Sequence, residues 1–357
     1  MSNPLKILVI RLSSLGDVLM TVPAVKAIKE AAPAKSISWL VEGPVADLLG
    51  NQGFIDRVIR FPRSSIMSSL KSGKIMSALA GISSFIKELR DSDYDVIVDF
   101  HGIVKSGFFS LLARGKTVIG FDRTFAREGS WLAYDKLVGG QRRSHKVERN
   151  MLLARELGAN GTIPEITLAV PPEADLVISR FFEDERIDGP IIAVNPFCSR
   201  GSTFKRWRLE NYAALINRIQ RELPLTAMIV WGPGEEEEAK HLKEMAGGPT
   251  RMICPTNVAQ LCAFLKRVDL YVGGDTGGMH LAVFAGLPVV ALFGPTDVLV
   301  NGPWGDRTRV VRKDVACSPC RDKGCMDRIC LDSLTVDEVF EAVTDMDRER
   351  QRREIAK

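Results

Sequence analysis

Short β-branched runs alternate with amphipathic stretches along nearly the whole chain, the pattern of parallel sheets built from strand–helix–strand units. KILVIRL (6–12) reads as a buried strand, followed by the loop SSLGD and a helix from about Asp17 to Ala32. Further strands are predicted at SISWLV (36–41), RVIRF (57–61), DVIVDF (95–100) and KTVIGF (116–121), with a long helical region between Ser64 and Arg90. HKVERNMLLARELGA (145–159) predicts a helix stopped by Gly158.

A second series begins after Pro171-Pro172, with strands at 190–197, 225–232, 269–274 and 287–294 and helices at 208–222, 235–246, 257–267 and 277–286. Thr335-Val-Asp-Glu338 is a capping box that opens a final charged helix. The expected organisation is α/β: two doubly wound Rossmann-like domains, 1–170 and 171–334, with a cleft between them. The terminal helix, 335–357, is expected to pack back on the first domain. Ligands of such sheets bind beyond the carboxyl ends of the strands, so the loops there are the candidates.

The first is Ser13-Ser14-Leu15-Gly16-Asp17. Gly16 permits a tight turn. Asp17 is either the N-cap of the helix it opens or a carboxylate that accepts a proton from a substrate hydroxyl. The second is Gly273-Gly274-Asp275-Thr276-Gly277-Gly278-Met279-His280 between a strand and a helix. Its glycines admit a ligand close to the backbone, its helix start offers N–H groups to a diphosphate, and His280 sits within reach. The third runs from Asn195 to Trp207 and carries Thr203, Lys205 and Arg206. Lys205 is suited to neutralise a departing diphosphate. The fourth is Trp231-Gly-Pro-Gly-Glu-Glu-Glu-Glu238, in which Glu235 or Glu236 is expected to turn inward to a ribose or sugar hydroxyl while the rest begins a helix.

These residues together resemble a known family. IRLSSLGDVLMTVPAVKAIKE, FKRW, WGPGEEEEA and GGDTGGMHLAVFAGLPVVALFGPTD are similar, in order and spacing, to the heptosyltransferases of lipopolysaccharide core assembly. The resemblance implies the GT-B architecture, ADP-heptose bound in the C-terminal domain and a lipid acceptor in the N-terminal domain. It implies that Asp17 is the catalytic base of an inverting displacement and that Lys205, with Asp275, Thr276, Gly277, Gly278 and His280, holds the donor. Within the family the first half looks most like heptosyltransferase I, which acts on Kdo-lipid A; the similar pieces are His101-Gly-Ile-Val-Lys105-Ser106, Phe125-Ala-Arg127-Glu128 and His145-Lys-Val-Glu-Arg149. Ser14, Gly16, Arg60, Arg63, Lys105, Arg127 and His145 would then meet the anionic acceptor.

Composition sharpens two points. Net charge is only +4, yet between Arg57 and Arg90 seven Lys/Arg face one acid, Glu88, and between Lys105 and Arg149 ten face four. A locally basic first half suits an anionic acceptor and peripheral contact with an anionic membrane, not nucleic acid as the partner. No window reaches the roughly 18 apolar residues of a membrane span, which with the start of the chain predicts a cytoplasmic protein. The absence of G-x-G-x-x-G argues against a dinucleotide enzyme. No Asp-x-Asp stands where a divalent ion would be held on the diphosphate, so no catalytic metal or cofactor is expected. Cys317, Cys320, Cys325 and Cys330 have the number for a tetrahedral zinc, but their compact spacing favours buried, reduced packing residues. The rival readings are heptosyltransferase II or III, another transferase of this fold, and a nucleotide-sugar-binding protein, which would not need Asp17.

Overall fold

The apolar runs form two six-stranded parallel sheets, one in each of two units, Met1–Ala169 and Val170–Lys357. The computed structural model describes residues 5–31 and 35–355. The first sheet comprises β1 (Lys6–Ile10), β2 (Ser36–Glu42), β3 (Arg57–Phe61), β4 (Val96–Asp99), β5 (Thr117–Phe121) and β6 (Lys136–Val138), in the order β3-β2-β1-β4-β5-β6. The second comprises β7 (Ile191–Asn195), β8 (Thr226–Ile229), β9 (Arg251–Met252), β10 (Leu270–Gly274), β11 (Val289–Phe293) and β12 (Thr308–Arg312), in the order β12-β11-β10-β7-β8-β9. Numbered within its own unit, the second sheet repeats the doubly wound order of the first. Central strands β7, β10 and β11 are buried at every position, as parallel strands covered on both faces must be.

Several elements differ from their predicted form. The first helix is two, Leu15–Leu19 and Val22–Ala31, and Ala32 lies outside the described residues. The amide of Asn150 enters the break, donating to the Met20 carbonyl at 2.8 Å and to Thr21 Oγ1 at 3.1 Å. The stretch 64–90 is likewise two helices, Arg63–Lys71 and Ile75–Leu89, parted at Gly73, whose φ of +70° suits only glycine. The strands β6, β9 and β12 and the helix Pro172–Asp184 have no predicted counterpart.

The final helix, Val336–Ile355, expected to pack back on the first domain, lies in the second unit. Its Val339, Phe340, Val343 and Met346 join the core formed by Leu215, Ile216, Val290 and Leu292 of the second unit. Its capping box forms as predicted, Glu338 accepting the Thr335 N–H at 3.0 Å and Thr335 Oγ1 accepting the Glu338 N–H at 3.3 Å.

Candidate active site

In each sheet the strand order reverses at one place, between β1 and β4 in the first and between β7 and β10 in the second. The loops leaving the carboxyl ends of β1, β7 and β10 are ones the sequence singled out. A crevice at such a switch point is where α/β sheets take their ligands.

In the first unit Ser14, not Asp17, is the N-cap of the helix Leu15–Leu19, and Asp17 stands in its first turn. The Asp17 carboxylate accepts a bond from Ser14 Oγ at 3.1 Å and pairs with Lys146 Nζ at 2.6 Å and Arg11 Nη2 at 3.1 Å. Burial on its own raises the pKa of this group. The two cations overcome that penalty and hold the carboxyl well below the usual carboxylate range. Asp17 is therefore ionised at working pH, and a weak base while both cations remain on it.

Beside it lies a cavity of about 160 Å³. Arg11, Asp17, His101, Arg127, Lys146 and Arg149 supply its polar lining, and Phe100, Phe121 and Phe125 its apolar walls. Four cations against one carboxylate leave the lining with surplus positive charge, which suits an anionic ligand. His101 adds no charge. Its Nδ1 accepts the Leu12 N–H at 3.3 Å, and burial together with Arg11 pushes its pKa down to about 3. The loop carrying it is fixed from below by buried Asp99, which accepts the His101 N–H at 2.8 Å, the Gly102 N–H at 3.2 Å and the Tyr134 hydroxyl at 2.7 Å. Burial raises the Asp99 pKa, and those donors oppose the rise.

In the second unit, Lys205 at the end of a short helical turn pairs with buried Asp275 at 2.7 Å. Thr276 caps the helix Gly277–Ala285, its Oγ1 accepting the Met279 N–H at 3.4 Å. That leaves the Gly277 and Gly278 N–H groups of the first turn for a ligand. A Cβ at position 278 would overlap the Asn195 side-chain amide, which would have to shift to admit it. His280 is buried on the same turn. Of the two candidate glutamates, Glu235 is the one turned inward. Its carboxylate accepts the Gly232 N–H at 2.8 Å and faces Arg206 at 3.5 Å, whereas Glu236 is exposed and pairs with Lys240 at 3.1 Å. Burial raises the Glu235 pKa.

The family model for glycosyltransferase family 9, the heptosyltransferases, matches residues 82–329. The chain belongs to this family. It is 27% identical over 333 residues to the lipopolysaccharide heptosyltransferase 1 of Pseudomonas aeruginosa, a match covering 90% of this chain and 87% of that one. The Escherichia coli heptosyltransferase WaaC, solved with ADP-2-deoxy-2-fluoro heptose, superposes with a TM-score of 0.73 at 26% identity over 96% of this chain and 99% of that chain. A family 9 structure from Veillonella parvula shares the fold, with a TM-score of 0.80 at 18% identity over 97% of this chain and 98% of that one. As a family 9 member the chain is a glycosyltransferase.

The remaining sequence candidates of this family 9 enzyme fall in several places. Arg127 lines the cavity. Lys105 pairs with Glu42 and lies 4.9 Å from the centre of the Phe61 ring; Arg63 faces Glu42 at 3.7 Å and Arg60 pairs with Asp47. None of the three is among the residues lining the cavity. Gly16 is buried in its helix turn and Thr203 is exposed. His145 caps the helix Lys146–Arg155, its Nδ1 accepting the Val147 N–H at 3.2 Å. The next residue, Lys146, is the one on Asp17.

Arg11, His101, Lys146 and Arg149 were not singled out from sequence. Each lies in a stretch that carries the family resemblance, Arg11 in the run that opens IRLSSLGD and the others within 101–106 and 145–149, but no local pattern marked them as binding residues. Thr296 was also missed; it sits in the loop after β11 with its hydroxyl buried and unbonded among the described residues. The cysteines correct an expectation too. Cys330 is buried, but Cys317 and Cys320 are exposed and Cys325 half-buried, so three of the four are not buried packing residues. Among the described residues no group of three or more His, Cys, Asp and Glu could hold a metal ion.

Proposed function

We propose that this enzyme transfers heptose from ADP-heptose to the Kdo-lipid A inner core of lipopolysaccharide, as heptosyltransferase I does, with inversion and without a metal. The acceptor hydroxyl oxygen attacks the anomeric carbon as the bond from that carbon to the ADP oxygen breaks. The hydroxyl proton passes to Asp17, and ADP departs against Lys205 and the N–H groups of Gly277 and Gly278.

The observation that carries this reading is the Asp17 carboxylate, ionised and lining a cavity with surplus positive charge. An acidic acceptor sugar supplies the anion that the cavity lacks. Once its carboxylate takes a share of Arg11 and Lys146, less positive charge bears on Asp17 and its basicity rises toward what proton transfer requires. A binding protein without transfer activity has no use for such a group.

The test is to incubate the protein with ADP-heptose and Kdo-lipid A and to weigh the product. A gain of one heptose with release of ADP is expected. Calorimetry with ADP, UDP and GDP accompanies it, and equal or tighter binding of UDP would remove ADP-heptose as the donor.

A further inference from the structure

The helices Arg63–Lys71 and Ile75–Leu89 form a packed pair that hides little of its own apolar surface. Ile75, Leu79, Ile82 and Ile86 fall on one stripe of the second helix at helical spacing, next to the buried face formed by Ala78, Phe85 and Leu89. The apolar arc is thus wider than its neighbours cover. Met76 is 79% exposed, Ile75 60% and Leu79 53%, and on the first helix Met67 and Leu70 are nearly half exposed. The helix Val104–Ala113, which packs beside the second, repeats the pattern, with Val104, Phe108 and Leu111 exposed at i, i+4 and i+7. Below the stripes the ring cluster Phe61, Phe85 and Phe109 is well packed, so the outer apolar residues are not needed to close the core. Concentrated exposure of this kind marks a binding surface.

Its charge selects the occupant. Lys71 and Lys74 flank the turn between the two helices and Lys87 lies further along, and none of the three makes an ion pair among the described residues. Glu88, the one acid of the pair, faces Arg57 at 3.9 Å. A second copy of the chain docking by the same face would set lysine against lysine. An anionic bilayer satisfies both halves of the surface, taking the apolar side chains below its headgroups and the ammonium groups among its phosphates.

We propose that the helices 63–71, 75–89 and 104–113 form a docking surface for an anionic lipid bilayer. It rests on the reading above only for its purpose, which is to bring a lipid-linked acceptor to the Asp17 cavity. The experiment is co-sedimentation of the full chain with vesicles of phosphatidylethanolamine and phosphatidylglycerol, and with vesicles of phosphatidylcholine alone, without donor or acceptor.

Binding to the anionic vesicles is expected, weakened by salt and by Lys71→Glu with Lys74→Glu. Met76→Glu with Leu79→Glu should lower the vesicle-bound partition by at least about tenfold, with the melting temperature and ADP affinity unchanged because both positions are exposed. Vesicle binding that survives the Met76→Glu, Leu79→Glu pair overturns the proposal. So does sedimentation velocity showing a wild-type dimer that this pair dissociates. Transfer to a delipidated acceptor tests the function separately, so either reading can fail while the other stands.

Discussion

The two switch points have the same strand order and opposite chemistry. Beyond β1 and β4 the binding groups are side chains, four cations and a carboxylate gathered around a cavity. Beyond β7 and β10 they are mainly backbone, a glycine-rich helix start with one lysine–aspartate pair beside it. A helix start offers fixed partial charge with little to reorganise, which suits a diphosphate leaving group common to every turnover. Long cationic side chains can exchange partners, which suits a site where an acceptor must arrive, be deprotonated and leave. The difference predicts that substitutions in the first site act on rate and acceptor, and those in the second on donor affinity.

The largest effect should come from Asp17→Asn. Loss of a general base lowers kcat by about 10²–10⁴, or about 3–5 kcal/mol, while ADP affinity is retained. Because Ser14 is the cap, stability does not rest on Asn replacing Asp there. It falls instead by about 1–3 kcal/mol, since Arg11 and Lys146 lose their charged partner. The sign with pH follows from the lowered pKa. The carboxylate stabilises the fold fully above its unfolded value, about 3.9, and that contribution fades as pH falls through and below it toward the folded value. Chemical denaturation of the two proteins should therefore differ at pH 7 and converge in acid. Turnover within a few-fold of wild type would remove Asp17 from the mechanism.

Lys205→Ala comes next and should weaken ADP binding and turnover together, by roughly 1.5–3 kcal/mol. The variant also leaves Asp275 buried without its lysine, so the conservative Lys205→Arg separates the two causes. Recovery of melting temperature without recovery of ADP affinity would mean that the ammonium meets phosphate directly. Unchanged affinity in both variants would reduce the pair to a structural one and blur the contrast between the sites.

How much of this was legible depends on how local each feature is. The glycine-rich turn reads directly because all its groups come from one stretch, 273–280. The cation cavity does not, because Arg11, His101, Arg127 and Lys146 come from four separate segments that only the strand order brings together. The same distinction separates His145, picked from its neighbourhood, from Lys146, placed by the fold. Central strands were read to within about two residues at each end because both faces are apolar. The edge strand β12 and the two-residue β9 carry no such run. The break before Val22 depends on Asn150, 130 positions from Met20, and no local pattern announces it.

Within the first site, Arg127 makes no ion pair among the described residues and lines the cavity, so its charge is available to an acceptor anion. Arg127→Ala should raise the acceptor KM about tenfold, the value of one charge-assisted contact, with ADP affinity spared. Rising ionic strength should reproduce part of the effect in the wild type. If a neutral sugar competes as well as Kdo-lipid A, the cavity does not read charge, and its difference from the glycine-rich site of the second unit has another basis.

The smallest effect should come from His145→Ala, and it refines the comparison by testing two neighbours against each other. His145 completes a capping box: its Nδ1 accepts the Val147 N–H at 3.2 Å, and Glu148 accepts the His145 N–H at 3.0 Å. Loss of the side-chain half should cost about 1 kcal/mol of stability, as helix caps do. The effect on the acceptor KM should stay within about two-fold, since a slightly frayed first turn moves Lys146 little. Lys146→Ala should show the reverse split. The Asp17 carboxylate then keeps Arg11 alone, and kcat and acceptor KM change by more than the melting temperature does. Steady-state kinetics and thermal melts on the two variants decide the matter. A rise in acceptor KM for His145→Ala as large as that for Arg127→Ala would put the imidazole on the acceptor, and the cavity would then extend past the helix start to a fifth binding side chain.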